Sequence, residues 1–118
     1  MKILIAGSRN IPNHSFVWDD LIKRVLGMYG TDGVEIVSGM ARGADTIALD
    51  FAKHFHIEWI GFPANWDQHG KSAGYIRNKE MSEYADELIA YWDGKSNGTK
   101  NMIELMASAK KPTTIIYV

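Results

Sequence analysis

The chain has 118 residues, of which 46% are hydrophobic and 23% are charged, and its formal net charge is -1 at pH 7. This is an ordinary globular composition, and it lacks the basic excess that proteins binding nucleic acids usually show, so a nucleic-acid partner is not expected. Because there is no cysteine, disulfides, thiol catalysis and thiolate zinc sites are excluded. With no linker, repeat or low-complexity tract, residues 1–118 are predicted to form a single domain.

Five short aliphatic or β-branched runs are predicted to be strands, and four segments between them have the apolar spacing of helices. The predicted strands are Lys2–Ala6, Val34–Val37, Ile57–Gly61, Glu87–Trp92 and Thr113–Val118. The predicted helices are His14–Met28, Ala44–Phe55, Tyr75–Tyr84 and Lys100–Ala109, with a long loop, FPANWDQHGKSAG, before the third. Strands thus alternate with helices, which predicts βαβ units and an α/β fold with a mainly parallel sheet covered by helices.

No apolar run approaches the roughly 20 residues that a transmembrane helix requires, so no membrane partner is expected. The opening MKILIAGSR contains one strand-length apolar run, which is too short for a signal peptide and lacks a small-residue cleavage site. These features predict a cytoplasmic protein.

The segments that follow the strands are rich in glycine and basic residues. In parallel sheets, ligands bind at the carboxyl ends of the strands, where these segments meet. The residues concerned are Gly7, Arg9, Gly39, Arg42, Gly43, Gly70, Lys71, Gly74, Arg77, Gly94, Lys95, Gly98 and Lys100. A cationic, glycine-rich rim at helix N-termini suits phosphate, because free N–H groups and the helix dipole add to the side-chain charge. The sequence therefore predicts a phosphate or nucleotide site.

The stretch SGMARGAD, Ser38 to Asp45, is the strongest of these signals. In a purely structural interpretation, Gly39 and Gly43 allow tight packing and Asp45 stabilises the first helical turn. Arg42 has no evident packing role, however, and a helix opening is a good place for phosphate. Asp45 would then hold a ribose hydroxyl or orient Arg42. The stretch is neither a Walker motif nor a dinucleotide GxGxxG.

Two further segments follow the same logic. After the first strand, Ser8 can donate a hydrogen bond and Arg9 can grip phosphate with two N–H groups. After the fourth strand, Ser96 and Thr99 are candidate helix caps, one of them expected to act as such, while Gly98 exposes backbone N–H groups that suit an anion.

The long loop offers other candidates. Trp66 either closes the edge of the core or stacks on a base. Asp67 and His69 are candidates for an acid–base pair, and Arg77 on the following helix can point back into the crevice. The four histidines are scattered and lack carboxylates at recognisable spacing, so neither a metal site nor a cofactor is predicted.

Taken together and in order, GSR, SGMARGAD, FPANW, AG-x-x-RN-x-x-M and WDG-x-S-x-GT resemble the SLOG superfamily, and in particular its small YspA-type branch. The resemblance covers nearly the whole chain. It implies a Rossmann-like three-layer sandwich with a five-stranded sheet, and the binding of nucleotides or molecules derived from them. Carried over by motif, the phosphate-contacting positions would be Gly7, Ser8, Arg9, Gly39, Arg42, Gly43, Gly98 and Thr99, with Asp45 and Arg77 facing the ligand beside them.

The chain also resembles the Lonely Guy phosphoribohydrolases of this superfamily, with one departure. Their arginine-x-x-x-methionine element is similar to Arg77 through Met81, and their glycine-threonine pair aligns with Gly98-Thr99. The position of their acidic catalytic residue is Met102 here. Glu104 is two residues further, which rotates it by about 200° on a helix. If catalysis occurs, the candidate residues are Asp45 and Arg77, with Asp67 or Asp93 as other sources of the carboxylate.

Three functions follow as hypotheses. The first is binding of a nucleotide or nucleotide-derived small molecule by a sensor, a sequestering protein or an accessory protein. The alternative is a nucleoside-phosphate N-glycosidase, and the third is a DNA-binding accessory protein, by analogy with a DNA-processing relative. A homo-oligomer is predicted from family habit and from aromatic residues expected at the surface: Trp18, Tyr29, Trp59 and Tyr84.

Overall fold

The computed structural model describes all 118 residues and contains five strands and five helices. The strands are β1 (Lys2–Gly7), β2 (Glu35–Ser38), β3 (Glu58–Gly61), β4 (Glu87–Trp92) and β5 (Thr113–Tyr117). The helices are α1 (His14–Leu21), α2 (Ala44–His54), α3 (Trp66–His69), α4 (Ala73–Tyr84) and α5 (Asn97–Ser108). A π-helical segment, Ile22–Leu26, continues α1, and a 3-10 turn, Gly70–Ser72, joins α3 to α4.

The five strands form one sheet in the order β3-β2-β1-β4-β5, and every pairing is parallel. The prediction of a mainly parallel five-stranded sheet is therefore confirmed. The chain first builds outward from β1 through β2 to β3, and then crosses to the other side to add β4 and β5. The crevice between the carboxyl ends of β1 and β4 is the switch point at which such folds place their ligands.

Alternate side chains of β1 enter two separate cores. Ile3 and Ile5 belong to a cluster of 16 buried residues beneath α1 and α2. Leu4 and Ala6 belong to a cluster of 9 buried residues beneath α4 and α5. A strand buried on both faces must be apolar throughout, which explains the continuous run at the start of the chain. The result is the expected three-layer sandwich, and no helix in it is long and apolar enough to cross a membrane.

The largest departure from the predicted elements lies between β3 and α4. Residues 66–72, predicted as loop, form α3 and the 3-10 turn, and α4 begins at Ala73 instead of Tyr75. Asn65 caps α3, because its Oδ1 accepts a hydrogen bond of 3.1 Å from the N–H of Gln68. Helix α5 also begins three residues earlier than predicted, which places Gly98 in its first turn.

The prediction of exposed aromatics was partly wrong. Trp18 is half-buried because it packs against the rings of Phe51 and Phe55, with centroids 5.8 and 6.0 Å away. Tyr29 is also half-buried, as is Tyr84. Trp59, on the edge strand β3, is exposed as expected. The homo-oligomer stays a prediction.

Candidate functional site

A cleft of about 350 Å³ opens at the switch point of the sheet. Its walls come from the segments after β1, β2 and β4, and from α4 and α5. Eight of the predicted site residues line it: Gly7, Arg9, Arg42, Asp45, Arg77, Ser96, Gly98 and Thr99. Residues from four distant parts of the chain therefore meet at one place.

The other four predicted residues lie beside or beneath this cleft. Gly39 and Trp66 line an adjoining cavity of about 400 Å³, which shares Arg9, Arg42 and Arg77 with it. Ser8 is buried below the cleft floor, where its Oγ accepts a hydrogen bond of 2.9 Å from the N–H of Asp93. That bond ties the segment after β1 to the segment after β4.

Gly43 and Gly7 are required by the packing of the chain itself. Gly43 has a φ of 81°, and a Cβ built on it would lie 2.3 Å from the carbonyl oxygen of Ser8. A Cβ on Gly7 would lie 2.2 Å from the carbonyl oxygen of Tyr91. Since both obstacles are backbone atoms, neither position has room for a side chain. The structural interpretation is sufficient to explain these two glycines.

Arg77 and Asp45 meet above Gly39. A Cβ on Gly39 would lie 2.9 Å from Nη1 of Arg77 and 3.0 Å from Oδ2 of Asp45. Arg77 Nη1 donates a hydrogen bond of 2.6 Å to the carbonyl oxygen of Gly39, and its Nε donates to Oδ1 of Asn78 at 3.2 Å. The guanidinium is thus held in one orientation, and its Nη2 group has no acceptor within the protein.

Asp45 is a buried carboxyl group on the cleft wall. Burial penalises its charged form and raises its pKa from 3.8 to about 6. A hydrogen bond of 3.2 Å from the N–H of Ala41, and the charges of Arg77 and Arg9, act in the opposite direction. Burial likewise lowers the pKa of Arg77, with Asp45 opposing the shift and Arg9 adding to it. The cleft therefore holds a proton-exchanging carboxyl group among fixed positive charges.

None of the three cleft arginines forms an ion pair. The ion pairs of the structure lie elsewhere, between Arg24 and Asp20, Lys79 and Glu83, and Lys100 and Glu104. Arg9 and Arg42 are exposed and donate no hydrogen bond to another residue. Their charge is available to a ligand.

Helix α5 points its open N-terminus into the cleft. Ser96, one of the two predicted caps, stands at the N-cap position, but its side chain accepts no hydrogen bond from an N–H group of the helix, and Thr99 lies inside the first turn. The Asp93 carboxylate instead accepts hydrogen bonds of 2.8 Å from the N–H groups of Lys95 and Ser96. The N–H groups of residues 97–99 come before the first helical bond, from Lys100 to Ser96, and have no acceptor. Such a helix end attracts anions.

Asn78 is a site residue that was not predicted from the sequence. Its side chain is buried, and its Nδ2 donates to the carbonyl oxygen of Gly98 at 3.2 Å and to Oδ1 of Asn101 at 3.0 Å. Because it also accepts from Arg77, it links that guanidinium to the first turn of α5. Its place directly after Arg77, within the AG-x-x-RN-x-x-M motif, was the available signal.

Several other candidates lie outside the cleft. Asp67 and His69 belong to α3 and do not line it. Lys95 does not line it either, and Lys100 pairs with Glu104 on the outer face of α5. Met102 is buried and forms part of the cleft wall, whereas Glu104 is exposed and faces away, as the helical rotation predicted.

Comparison with known proteins decides the family. Residues 1–69 match the model of the YspA, cpYpsA-related SLOG family. The Gene 61 protein of Mycobacterium phage D29 is 35% identical over 117 residues, which are 94% of this chain and 92% of that protein. The chain belongs to the YspA-related SLOG family.

Several solved structures share the fold of this SLOG protein. DNA processing protein A (DprA) from Streptococcus pneumoniae superposes with a TM-score of 0.77 at 17% identity over 97% of this chain. DprA from Helicobacter pylori, whose structure concerns its single-stranded DNA binding mode, superposes with a TM-score of 0.71 at 22% sequence identity over 98% of this chain. The chain spans 49% and 64% of those two proteins. The molybdenum cofactor carrier protein of Chlamydomonas reinhardtii superposes with a TM-score of 0.66 at 18% sequence identity, over 97% of this chain and 75% of that protein.

Proposed function

We propose that this protein binds a nucleotide or a nucleotide-derived phosphorylated small molecule in the cleft between β1 and β4, as a sensor, sequestering or accessory protein. The observation that carries the proposal is the combination of three arginines without ion-pair partners and the open N-terminus of α5 around one cavity. A cavity of about 350 Å³ lies within the range of small-molecule sites.

The proposed phosphate position is at the first turn of α5. The N–H groups of Asn97, Gly98 and Thr99 supply donors, and Arg9 lines the same cleft. Arg77, held by Gly39 and Asn78, lines the same cleft, and its Nη2 group is free to donate to a ligand. Charge-assisted bonds of this kind are roughly twice as strong as neutral ones, so phosphate would dominate recognition.

Thermal unfolding in the presence of nucleoside phosphates, ADP-ribose and cyclic dinucleotides tests the proposal. A ligand at a hundred times its dissociation constant adds about 2.7 kcal/mol, which for a chain of this size raises the midpoint by roughly 10 °C. Arg9→Ala should abolish the shift without lowering the midpoint of the free protein, because Arg9 is exposed and bonds to no other residue.

Lys79→Ala is the matched control. Lys79 lies on α4, two residues beyond Arg77, but is exposed and pairs with Glu83 outside the cleft. Lys79→Ala should show the same ligand-induced rise in the unfolding midpoint as the wild type. If no compound in the panel stabilised the protein at millimolar concentration, the proposal would fail.

The alternative, a nucleoside-phosphate N-glycosidase, is supported by Asp45. Met102 stands where the Lonely Guy phosphoribohydrolases, which the chain resembles, have their acidic catalytic residue, and it cannot transfer a proton, so the carboxyl group of Asp45 would have to act. Its pKa of about 6 suits proton exchange near neutral pH. Release of free base from nucleoside monophosphates, lost in Asp45→Asn, would favour this alternative over simple binding.

The third candidate, DNA binding, is supported by the likeness of the fold to the Helicobacter pylori protein and by the unpaired arginines. The net charge of -1 argues against a large phosphate-binding surface. Titration of a single-stranded oligonucleotide at increasing salt is the test. Retention at physiological salt, with a log–log slope that corresponds to several phosphates, would establish this candidate.

A further inference from the structure

Two large aromatic side chains beside the cleft are unusually exposed. Trp66, the first residue of α3, is 52% exposed, and Tyr75, in the first turn of α4, is 51% exposed. Several other aromatic side chains pack against a second ring, among them Trp18, Phe62 and Trp92. Trp66 and Tyr75 pack against no ring, so both present faces on which a planar group can stack.

These two side chains line a cavity of about 250 Å³ that opens from the main cleft. We call it the aromatic lobe; its other walls are Arg9, Lys71, Gly74, Arg77, Asn78 and Gly98. Arg9, Arg77, Asn78 and Gly98 also line the main cleft. The lobe is therefore continuous with the proposed phosphate position, and two guanidinium groups stand at the junction.

The position of Trp66 is fixed by its surroundings. A Cβ on Gly74 would lie 3.6 Å from Cη2 of Trp66, so the indole rests close to the backbone of α4. Asn65 anchors the turn through its bond to the N–H of Gln68 and a second bond, of 3.1 Å, to the side chain of Gln68. The ring is thus presented on a capped turn and not on a free loop.

We infer that the aromatic lobe binds a second nucleobase, so that the preferred ligand carries two nucleosides joined through phosphate. This inference rests on the proposed nucleotide site. A base stacks on Trp66 or Tyr75, Lys71 adds positive charge, and the linking phosphate lies between Arg9 and Arg77. Stacking of one base on an aromatic side chain contributes enough to be measured, roughly 5- to 150-fold in affinity by alanine substitution.

The test compares two probes, deoxyadenosine 5′-monophosphate and the 5′-phosphorylated dinucleotide pdApdA, by isothermal titration calorimetry. The wild type should bind pdApdA about tenfold more tightly than the mononucleotide, a gain within the range expected for one stacked base. Trp66→Ala should remove that gain, so that the variant binds pdApdA and the mononucleotide with similar affinity. Trp59→Ala is the matched control, because Trp59 is 42% exposed but lies on the edge strand β3, outside the lobe.

The outcomes separate this inference from the function on which it rests. If pdApdA binds no more tightly than the mononucleotide, or if Trp66→Ala weakens both probes equally, the second base site is overturned while the nucleotide site survives. If neither probe binds the wild type, the proposed function fails as well. Longer 5′-phosphorylated oligonucleotides identify the source of the ligand. A Trp66-dependent gain that ends at two nucleotides indicates a soluble dinucleotide, and one that continues indicates a single strand; both support the second base site.

Discussion

The two sides of the cleft use their glycines in opposite ways. On the side of β1 and β2, a Cβ at Gly7, Gly39 or Gly43 would meet protein atoms at 3.0 Å or less. On the side of β4, a Cβ at Gly98 would meet nothing within 4 Å, and the neighbouring N–H groups are free. One side is packed by the protein itself, and the other is open to a ligand.

The comparison shows which glycines of these segments serve the packing of the protein itself. The packed side brings the segments after β1 and β2 together and fixes Arg77 and Asp45 above Gly39. The open side provides backbone donors at a helix N-terminus. Glycine-rich segments that look alike in sequence therefore have different roles, and substitutions should separate them.

Gly43→Ala should have the largest effect. The φ of 81° and ψ of -130° at Gly43 lie in a region almost restricted to glycine, which an L-residue adopts at a cost of about 1–3 kcal/mol, and its methyl group would overlap the carbonyl oxygen of Ser8. Overpacking against backbone adds about 1–3 kcal/mol. We expect the free energy of unfolding to fall by about 3 kcal/mol or more, measured by urea denaturation.

Gly33→Ala separates the two causes. Gly33 has a φ of 73°, but a Cβ there would meet nothing within 4 Å. In this variant the free energy of unfolding should fall only by the cost of placing an L-residue at a positive φ, about 1–2 kcal/mol. Equal losses in the two variants would mean that the space beside Gly43 is not filled.

Asp45→Asn should change how stability depends on pH. The pKa of Asp45 is about 6 in the folded protein, above the ordinary value of 3.8, so the folded state binds this proton more tightly. The resulting stabilisation is fully present below pH 3.8 and is lost as the pH rises through 6. At pH 7.5 the charged form costs up to about 3 kcal/mol, so Asp45→Asn should be more stable than wild type there and equal to it near pH 4.

Asp93→Asn is the control with the opposite sign. Hydrogen bonds from the N–H groups of Ser96 and Lys95 lower the pKa of Asp93 below its ordinary value of 3.8. The Asp93 carboxylate therefore stabilises the folded protein above pH 3.8, and this stabilisation is lost as the pH falls through the lowered pKa. Denaturation curves from about pH 2.5 to pH 8 distinguish the two variants, because the change due to Asp93 lies below pH 3.8 and the change due to Asp45 lies between 3.8 and about 6. A destabilised Asp45→Asn at pH 7.5 would contradict the assigned burial cost.

The strands could be predicted well because each is a short apolar run, and β4 has the predicted bounds. Residues 66–72 could not, because α3 depends on one cap from Asn65 and buries no residue. A polar cap is a local signal that resembles an ordinary turn. Because no residue of α3 is buried, the segment has no apolar periodicity from which a helix could be predicted.

The site could be predicted in part for a similar reason. That Arg9, Arg42 and Arg77 would meet follows from parallel topology, which brings the ends of strands to one edge. That Gly43 touches Ser8, or that Asn78 reaches Gly98, depends on distances between segments far apart in the chain. Residue types and spacing carry no information on such contacts.

Ser8→Ala tests the link between the two sides of the cleft. The variant loses the acceptor for the N–H of Asp93 and the partner of the Ser96 hydroxyl, at 3.3 Å. We expect a loss of about 1–2 kcal/mol in the free energy of unfolding, because a part-buried N–H group is left without its acceptor. If stability were unchanged and nucleotide affinity were lost instead, Ser8 would be a ligand group and not a link between segments.

Gly98→Ala should have the smallest effect on stability and the opposite sign. Gly98 lies in the first turn of α5 with open space around it, so alanine should stabilise the free protein by about 0.5–1 kcal/mol. The added methyl group would stand beside the N–H groups proposed to hold phosphate, and affinity for deoxyadenosine 5′-monophosphate should fall about tenfold. Urea denaturation and calorimetry on the same sample measure both quantities. A variant that is more stable and binds as tightly as wild type would show that phosphate does not approach the first turn of α5.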